Sequence, residues 1–512
     1  MSSDNRLIVK NSLILYVKLF ITSAIGIFTS RIVLQSLGAS DYGLYNVVGG
    51  IVVLVNILNT SLTSTTYRYI AFEIGQNQPE SINKVFNISL VLHGFMAVLV
   101  ILFVETLGIY YVNYYLNVAA DKIADAIFVL RMSVLAVVSS IFGIPFRGLL
   151  VATEKFAVQA IIEVTFVLIR IPALIWLYVY SGNQLRFYAI LTVVISIALT
   201  VATIVYCRKK MTRYVQWHFQ KGFCKYREML GFSSWILIGA LSCIGRIQGA
   251  ALIINAFFGV TINASFAIAN SLNQIVLMVS QNLGQAAIPQ ITKSYSGGNT
   301  ERSMDIVSYI SKYSFFLLML PAIPILLETK YLLHLWLGVV PQYTEIFCKL
   351  IIINSLAECL GAGIPAMVAA TGKIKWFQII MGGISLLTLP IAYYCCKLGC
   401  PPHIILVVQI VIALVNAIIG QVLLKKIIAF DVKRFLATSY LRIAYVLVLV
   451  LPLFVIRDLF KEGLIRFIVV SGSASLWLGV TIFLVGMTFR EREIVFVNVR
   501  RIFNQLRLRS GS

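Results

Sequence analysis

The chain has 512 residues, of which 59% are hydrophobic and only 12% charged, and its 42 Lys and Arg against 20 Asp and Glu give a formal charge of +22. No soluble core hides that share of apolar surface, so the composition excludes a string of soluble domains and leaves a chain that crosses a membrane many times. On a soluble protein such a charge would indicate a nucleic-acid partner; here it asks which side of the membrane the charge faces.

Taken in chain order, apolar windows between breaks rich in Gly, Pro and charge predict spans near 11–34, 43–67, 85–108, 124–146, 157–180, 187–207, 232–257, 263–289, 305–327, 345–370, 376–396, 403–424, 437–456 and 467–489. At about 20 residues per crossing these are about fourteen transmembrane helices. The first follows Arg6 and Lys10 as a secretory signal would, but it is too long, lacks a small-x-small cleavage pattern and runs into a second apolar stretch. It reads as a retained span. An even number of spans puts both termini on one side. One set of connections holds Lys122, Arg186, Lys330, Lys397, Arg457, Lys461 and Arg466, against about 27 basic residues in the other set and the tails. That bias predicts that both termini and the segment 208–229 (RKKMTRYVQWHFQKGFCKYREM) are cytoplasmic.

Catalytic equipment is not expected. There is no nucleotide-binding motif, His93, His218, His334 and His403 are isolated, and no outer connection is large enough for a catalytic domain. The cluster Cys395, Cys396 and Cys400 has no partner at zinc spacing, so neither a metal nor a cofactor is predicted. Energy would come from an ion gradient, the lipid potential or the gradient of the cargo.

Self-comparison reveals an internal repeat. Pro145 in IPFRGLLVATEK (144–155) matches Pro365 in IPAMVAATGK (364–373), and Pro172 and Lys155 each recur 218 residues later as Pro390 and Lys373. Earlier in the repeat an offset of 221 pairs Gly38 with Gly259 and sets 80–89 against 301–310. Each copy closes on a basic end, Arg208-Lys209-Lys210 and Lys425-Lys426. Spans 1–6 thus match spans 7–12, and because six is even the copies have the same orientation, a parallel pseudo-two-fold repeat. The predicted organisation is an N-terminal lobe (1–207), a basic cytoplasmic linker (208–229), a C-terminal lobe (230–426), extra spans 13 and 14 (427–489) and a basic cytoplasmic tail (490–512). The fold class is all-α and polytopic: two six-helix lobes plus two C-terminal helices. In repeat-built transporters the cargo site lies at the seam and the lobes rock to give alternating access.

The polar residues left inside spans are the candidate site. Lys312, Lys349 and Arg442 lie near span ends, where their side chains would snorkel to the headgroups. Arg246 lies mid-span in ILIGALSCIGRIQGAALII. A central Arg costs about 2.5–3.5 kcal/mol even on the insertion scale, so it must face a cavity anion or pair with Glu163 or Glu358. Arg31 stands three residues from the outer end of span 1, at the cavity mouth or snorkelling. Lys18 and Arg131 are further cavity candidates. Glu163 and Arg170, seven apart on one face of span 5, are candidates for a proton- or cation-linked coupling pair; two turns is too far for direct contact within one helix, so the alternative is that each pairs with another span. Spans 2 and 8 carry amide and hydroxyl stripes: Asn56, Asn59, Thr60, Thr63, Ser64 and Tyr67, and Asn270, Asn273, Gln274, Gln281, Asn282 and Gln285. Uncharged amides suit sugar hydroxyls; they also suit hydrogen bonds between helices.

The segment SRIVLQSLGASDYGLYNVV (30–48), followed by TTYRYIAFEIGQ (65–76), resembles the amino-terminal signature of Wzx-type polysaccharide transporters: Arg31, then Leu37-Gly38, Tyr42-Gly43-Leu44-Tyr45 and Arg68. These transporters belong to the multidrug/oligosaccharidyl-lipid/polysaccharide (MOP) superfamily. The resemblance implies a flippase in the bacterial inner membrane that moves an undecaprenyl-diphosphate-linked oligosaccharide outward for assembly of O-antigen, capsule or exopolysaccharide. It implies that Arg246, with Arg31, Lys18, Arg131 and Arg170, would hold the diphosphate, and that Asn56, Asn59, Thr60, Asn270, Gln274, Gln281 and Gln285 would contact the glycan. Span 8 lacks a central cation, so anion binding would rest on the first lobe plus Arg246. Anionic phospholipids, a proton or sodium ion and a glycan polymerase are the other expected partners, and nucleic acid is not. The rivals are an ion-coupled exporter of organic cations on the same fold, which would want acids in the cavity, and a scaffold or polymerase of glycan assembly.

Overall fold

The computed structural model describes residues 3–114, 120–456, 463–489 and 491–493, and these form helices and short connections without strands. Among the described residues twelve helices are long and apolar enough to cross a membrane, or thirteen when the bent pair Thr344–Cys359 and Ile364–Thr371, 41° apart, counts as one span. The predicted span 43–67 lies in the second arm of the helix Ser3–Gly75, whose two arms meet at Gly38. Two connections depart from the sequence reading. The predicted outer loop at 328–344 is largely helical, because the helix Thr300–Leu337 continues past a non-helical residue, Glu328, through YLLHLWL. The predicted span 345–370 is interrupted over 360–363, where two glycines and the following Pro365 weaken the ladder.

By packing, the described chain forms two compact units. One is built from Ile8–Leu241 with Thr292–Asn299, the other from Ser242–Ile291 and the residues from Thr300 onward. The division therefore falls inside the helix Phe223–Phe258, and the end of the helix Val260–Ser296 packs in the first unit. In the first unit the helix Ile123–Ala152 packs on Pro79–Phe103 and Gln184–Lys210, around Val100, Val129, Leu130, Ile141, Leu174 and Leu185. In the second, Thr300–Leu337 packs on Thr344–Cys359 and Leu464–Thr481, around Phe315, Phe316, Phe347, Ile405 and Leu478.

The repeat is written in the backbone. Gly38 and Gly259 both sit at positive φ, 73° and 83°, between consecutive spans. Asn77 (55°) and Gly298 (83°) do the same at the next connection, and Glu154 (61°) and Gly372 (78°) after the proline-bearing helices. The first two pairs are 221 residues apart and the third 218, the offsets found in the sequence. Only glycine enters that region freely, so the two Gly38-type positions constrain sequence most, which is why they were the visible landmarks.

Candidate functional site

Arg246 lies about 18 Å along the helix axis from the Phe258 end of its helix, deep in the apolar stretch. Its Nη2 donates to Glu358 Oε1 at 2.8 Å, and Asn354 Nδ2 donates to the same oxygen at 3.1 Å. Glu358 stands one residue before the end of the helix Thr344–Cys359, at the edge of the bent connection, and its side chain keeps 39% of its exposure while Arg246 keeps 13%. Of the two partners the sequence allowed, the structure therefore selects Glu358. One turn away Ser355 Oγ donates to Asn273 Oδ1 at 2.7 Å, which joins the amide stripe of the Val260–Ser296 helix to this site.

Along that helix Gln274, Gln281 and Gln285 are exposed on one face with Ser271 and Met278. Asn270 and Asn282 instead donate to carbonyls of their own helix, those of Phe266 and Met278, and Asn282 is buried. The stripe thus splits into three outward glutamines and inward asparagines. The side chains of Asn56, Asn59 and Thr60 lie outside the described residues.

The other cationic candidates do not converge. Lys18 Nζ donates to Glu163 Oε2 at 2.9 Å, and Gln159 Nε2 holds the second oxygen at 2.9 Å. Arg170 bonds the hydroxyl of Tyr188 at 2.7 Å, so Glu163 and Arg170 do not form a pair. Arg131 offers Nε and Nη2 to the two oxygens of Glu105, both at 2.9 Å, as a fork. Glu105 is held in a π-helical turn, Val104–Gly108, within the predicted span 85–108. Arg31 is exposed, with no carboxylate partner among the described residues. Lys312 is not a snorkelling residue: its side chain is buried and bonds both oxygens of Glu491 at 2.7 and 2.8 Å. Arg442 donates to the Val485 carbonyl at 3.0 Å, and Lys349 pairs with Glu345 one turn earlier. At the start of the Ile123–Ala152 helix, the bond from Lys122 to Asp41 raises the pKa of the Lys122 ammonium.

A second polar cluster gathers at the ends of the first unit's helices. Arg68 lies over the rings of Tyr69, Phe72 and Phe232, while Tyr69 Oη donates to Glu228 at 2.8 Å and Lys225 Nζ to Glu73 at 2.9 Å. Lys293 pairs with buried Glu154. At Gly75 the chain comes so close that a Cβ would collide with the Ser296 side chain and lie 2.5 Å from the Lys293 carbonyl oxygen. Positions 75 and 296 are 221 apart, so repeat-equivalent residues abut here. Arg68 was visible in the sequence only as a motif residue; its acidic neighbours carry no sequence signal beyond their charge.

No protein-family model and no curated protein sequence matches the chain. Solved structures do. The chain is similar to a mutant MATE protein (TM-score 0.70, 14% identity, 83% of this chain and 99% of that one). It is similar to the outward-facing conformation of a multidrug resistance MATE family transporter of the MOP superfamily (TM-score 0.68, 16% identity, 84% and 99%). A MOP superfamily transporter from Pyrococcus furiosus, described as having a binding pocket of reverse polarity suggestive of a different function, matches with TM-score 0.65 and 15% identity over 83% and 98%. At such identities the likeness is one of fold. The chain has the all-helical architecture of the MATE proteins, and the all-α polytopic class expected from the sequence is the one observed.

Proposed function

We propose that this chain is a flippase for an undecaprenyl-diphosphate-linked oligosaccharide of the bacterial inner membrane, working by alternating access with both termini in the cytoplasm. The observation that carries the reading is the charge balance inside the spans. The carboxylates of Glu105, Glu163, Glu328 and Glu358 are each bonded to a cation, respectively Arg131, Lys18, Arg466 and Arg246. An organic cation would find no unmatched acid among them, whereas Arg31 and Arg170 carry charge that no carboxylate neutralises among the described residues. A charge at the depth of the hydrocarbon layer needs a partner, and a diphosphate is a divalent one. The exposed Gln274, Gln281 and Gln285 offer amides to sugar hydroxyls.

In this reading the guanidinium of Arg246 exchanges part of its bond to Glu358 for the diphosphate, the glutamines position the glycan, and the lipid chain stays in the bilayer. Alternating access then requires the Arg68, Glu73 and Glu154 cluster to part when the cytoplasmic side opens. The likeness to multidrug MATE transporters favours a second reading, ion-coupled export of organic cations. Proteoliposomes separate the two. Outward movement of a labelled lipid-linked oligosaccharide, lost in Arg246→Ala and only partly restored by Arg246→Lys because the planar fork is missing, is the expected result. Uptake of an organic cation with no movement of the labelled lipid would replace the first reading by the second.

A further inference from the structure

We propose that the segment between the two repeats is a strap built to hold anionic phospholipid headgroups at the membrane surface. From Arg208 to Lys221 the sequence RKKMTRYVQWHFQK contains five Lys and Arg and no acid. A flexible linker would leave these residues in water. Here the backbone is pinned instead by two amides one turn apart on the helix Pro79–Phe103. Asn83 Nδ2 donates to the carbonyls of Tyr214 and Gln216 at 3.0 and 2.8 Å. Asn87 Nδ2 donates to the Gln216 carbonyl at 2.9 Å, and Asn87 Oδ1 accepts from the His218 backbone N–H at 3.3 Å. Asn87 is fully buried, and Met211 anchors the start of the strap in the core.

The anchor points set the height of the strap. Asn83 and Asn87 bracket residue 85, where the apolar stretch of that helix begins. The pinned backbone therefore runs at the level where the chain enters hydrocarbon. On its free side it presents Trp217, Phe219 and Phe223, more than half exposed, among exposed Arg213 and Lys221. Indole rings and aromatic side chains settle at the headgroup level, and clustered basic residues draw anionic lipid to it. With no acid in the strap to compete, the occupant is the anionic lipid of the leaflet that the basic connections face.

Trp217 serves as the probe. The full-length protein in nanodiscs is titrated with phosphatidylglycerol or phosphatidylcholine brominated on the upper acyl carbons, at equal mole fractions. The part of the quenching that disappears in Trp217→Phe reports this site against the other five tryptophans. Brominated phosphatidylglycerol is expected to quench Trp217 about threefold more than phosphatidylcholine, the excess vanishing in Arg213→Gln/Lys221→Gln and in about 0.5 M salt. Asn83→Ala/Asn87→Ala, which unpins the backbone but keeps every charge, should lose most of the excess as well. Equal quenching by the two lipids, or no quenching that depends on Trp217, overturns the proposal. So does relief of quenching by stoichiometric undecaprenyl diphosphate, which would assign the strap to cargo.

Discussion

Replacing Glu358 by Gln leaves Arg246 in the middle of the apolar stretch with an amide in place of a carboxylate. Removing one partner of a fully buried pair costs about 3–5 kcal/mol, because the remaining charge is left without compensation. Glu358 keeps 39% of its side-chain exposure, so water screens part of that loss; about 2 kcal/mol is the expected destabilisation. The pair can also be removed whole. Arg246→Met/Glu358→Gln takes out both charges at similar volume, and its stability should return to within about 1 kcal/mol of the parent. The assay is thermal unfolding in detergent, with the single variant about 2–4 °C lower and the double variant close to the parent. Transport then separates structure from function. The Gln variant keeps its guanidinium and should still move the lipid-linked sugar; the double variant should be folded and inactive. A double variant that transports at the parent rate would refute the role of Arg246 as a cargo ligand and leave it as half of a structural pair.

Gly75→Val cannot be accommodated beside Ser296 and the Lys293 carbonyl, so it should open that end of the first unit. The measurement is maleimide labelling at Thr65→Cys, which is buried against Ser233 in the parent and should become reactive in the Val background. Gln281→Ala/Gln285→Ala should leave the melting temperature unchanged, since both side chains are exposed, and lower transport of the sugar-bearing lipid about thirtyfold, one hydrogen bond of about 1 kcal/mol per glutamine being lost. Undecaprenyl diphosphate without sugar should be moved equally by both proteins, and an equal fall for the two cargoes would refute glycan contact.

The parts of this architecture legible in the sequence are those in which one residue's chemistry forces one conformation. Gly38 and Gly259 could be matched because a positive φ between helices tolerates few alternatives. Asn77 and Glu154 hold the same conformation as Gly298 and Gly372 without glycine, so those matches rested on the flanking residues, Lys155 against Lys373 and 80–89 against 301–310, and not on the turn residues themselves. The cost of Arg246 was equally legible, since it follows from depth alone; its partner was not, because two acids were equally available and only packing chooses. Glu163 and Arg170 share a helical face, yet Lys18 comes from another helix and takes the acid first. The reading of Lys312 as a snorkelling side chain failed for a related reason. Distance to a span end says nothing about a carboxylate that returns from beyond the last span.

That returning carboxylate bears on the two extra spans, which fall outside the repeat and would by sequence alone be an appendage. The helix Thr300–Leu337 carries two charges that those spans satisfy. Near its start, Lys312 bonds Glu491, just past the helix Leu464–Thr481 and its π-helical extension Ile482–Gly486. Toward its other end, Glu328 accepts from Arg466 Nε at 2.8 Å at the beginning of that same helix. All four side chains are buried. The extra helix is thus fastened at both ends to one helix of the repeat, and neither bond can be broken without leaving a charge in the interior, at about 3–5 kcal/mol each. Ending the chain after Ile427 should therefore yield protein that aggregates on size-exclusion chromatography. Adding Lys312→Met/Glu328→Gln to the shortened chain removes both stranded charges and should restore part of the monodisperse peak. Were the shortened chain monodisperse with Lys312 and Glu328 in place, the two ion pairs would not be what binds the extra spans to the repeat. Were the neutralised version no better, the apolar contacts of Val446, Val450, Val470 and Ala474 with the core around Phe316 would carry the attachment.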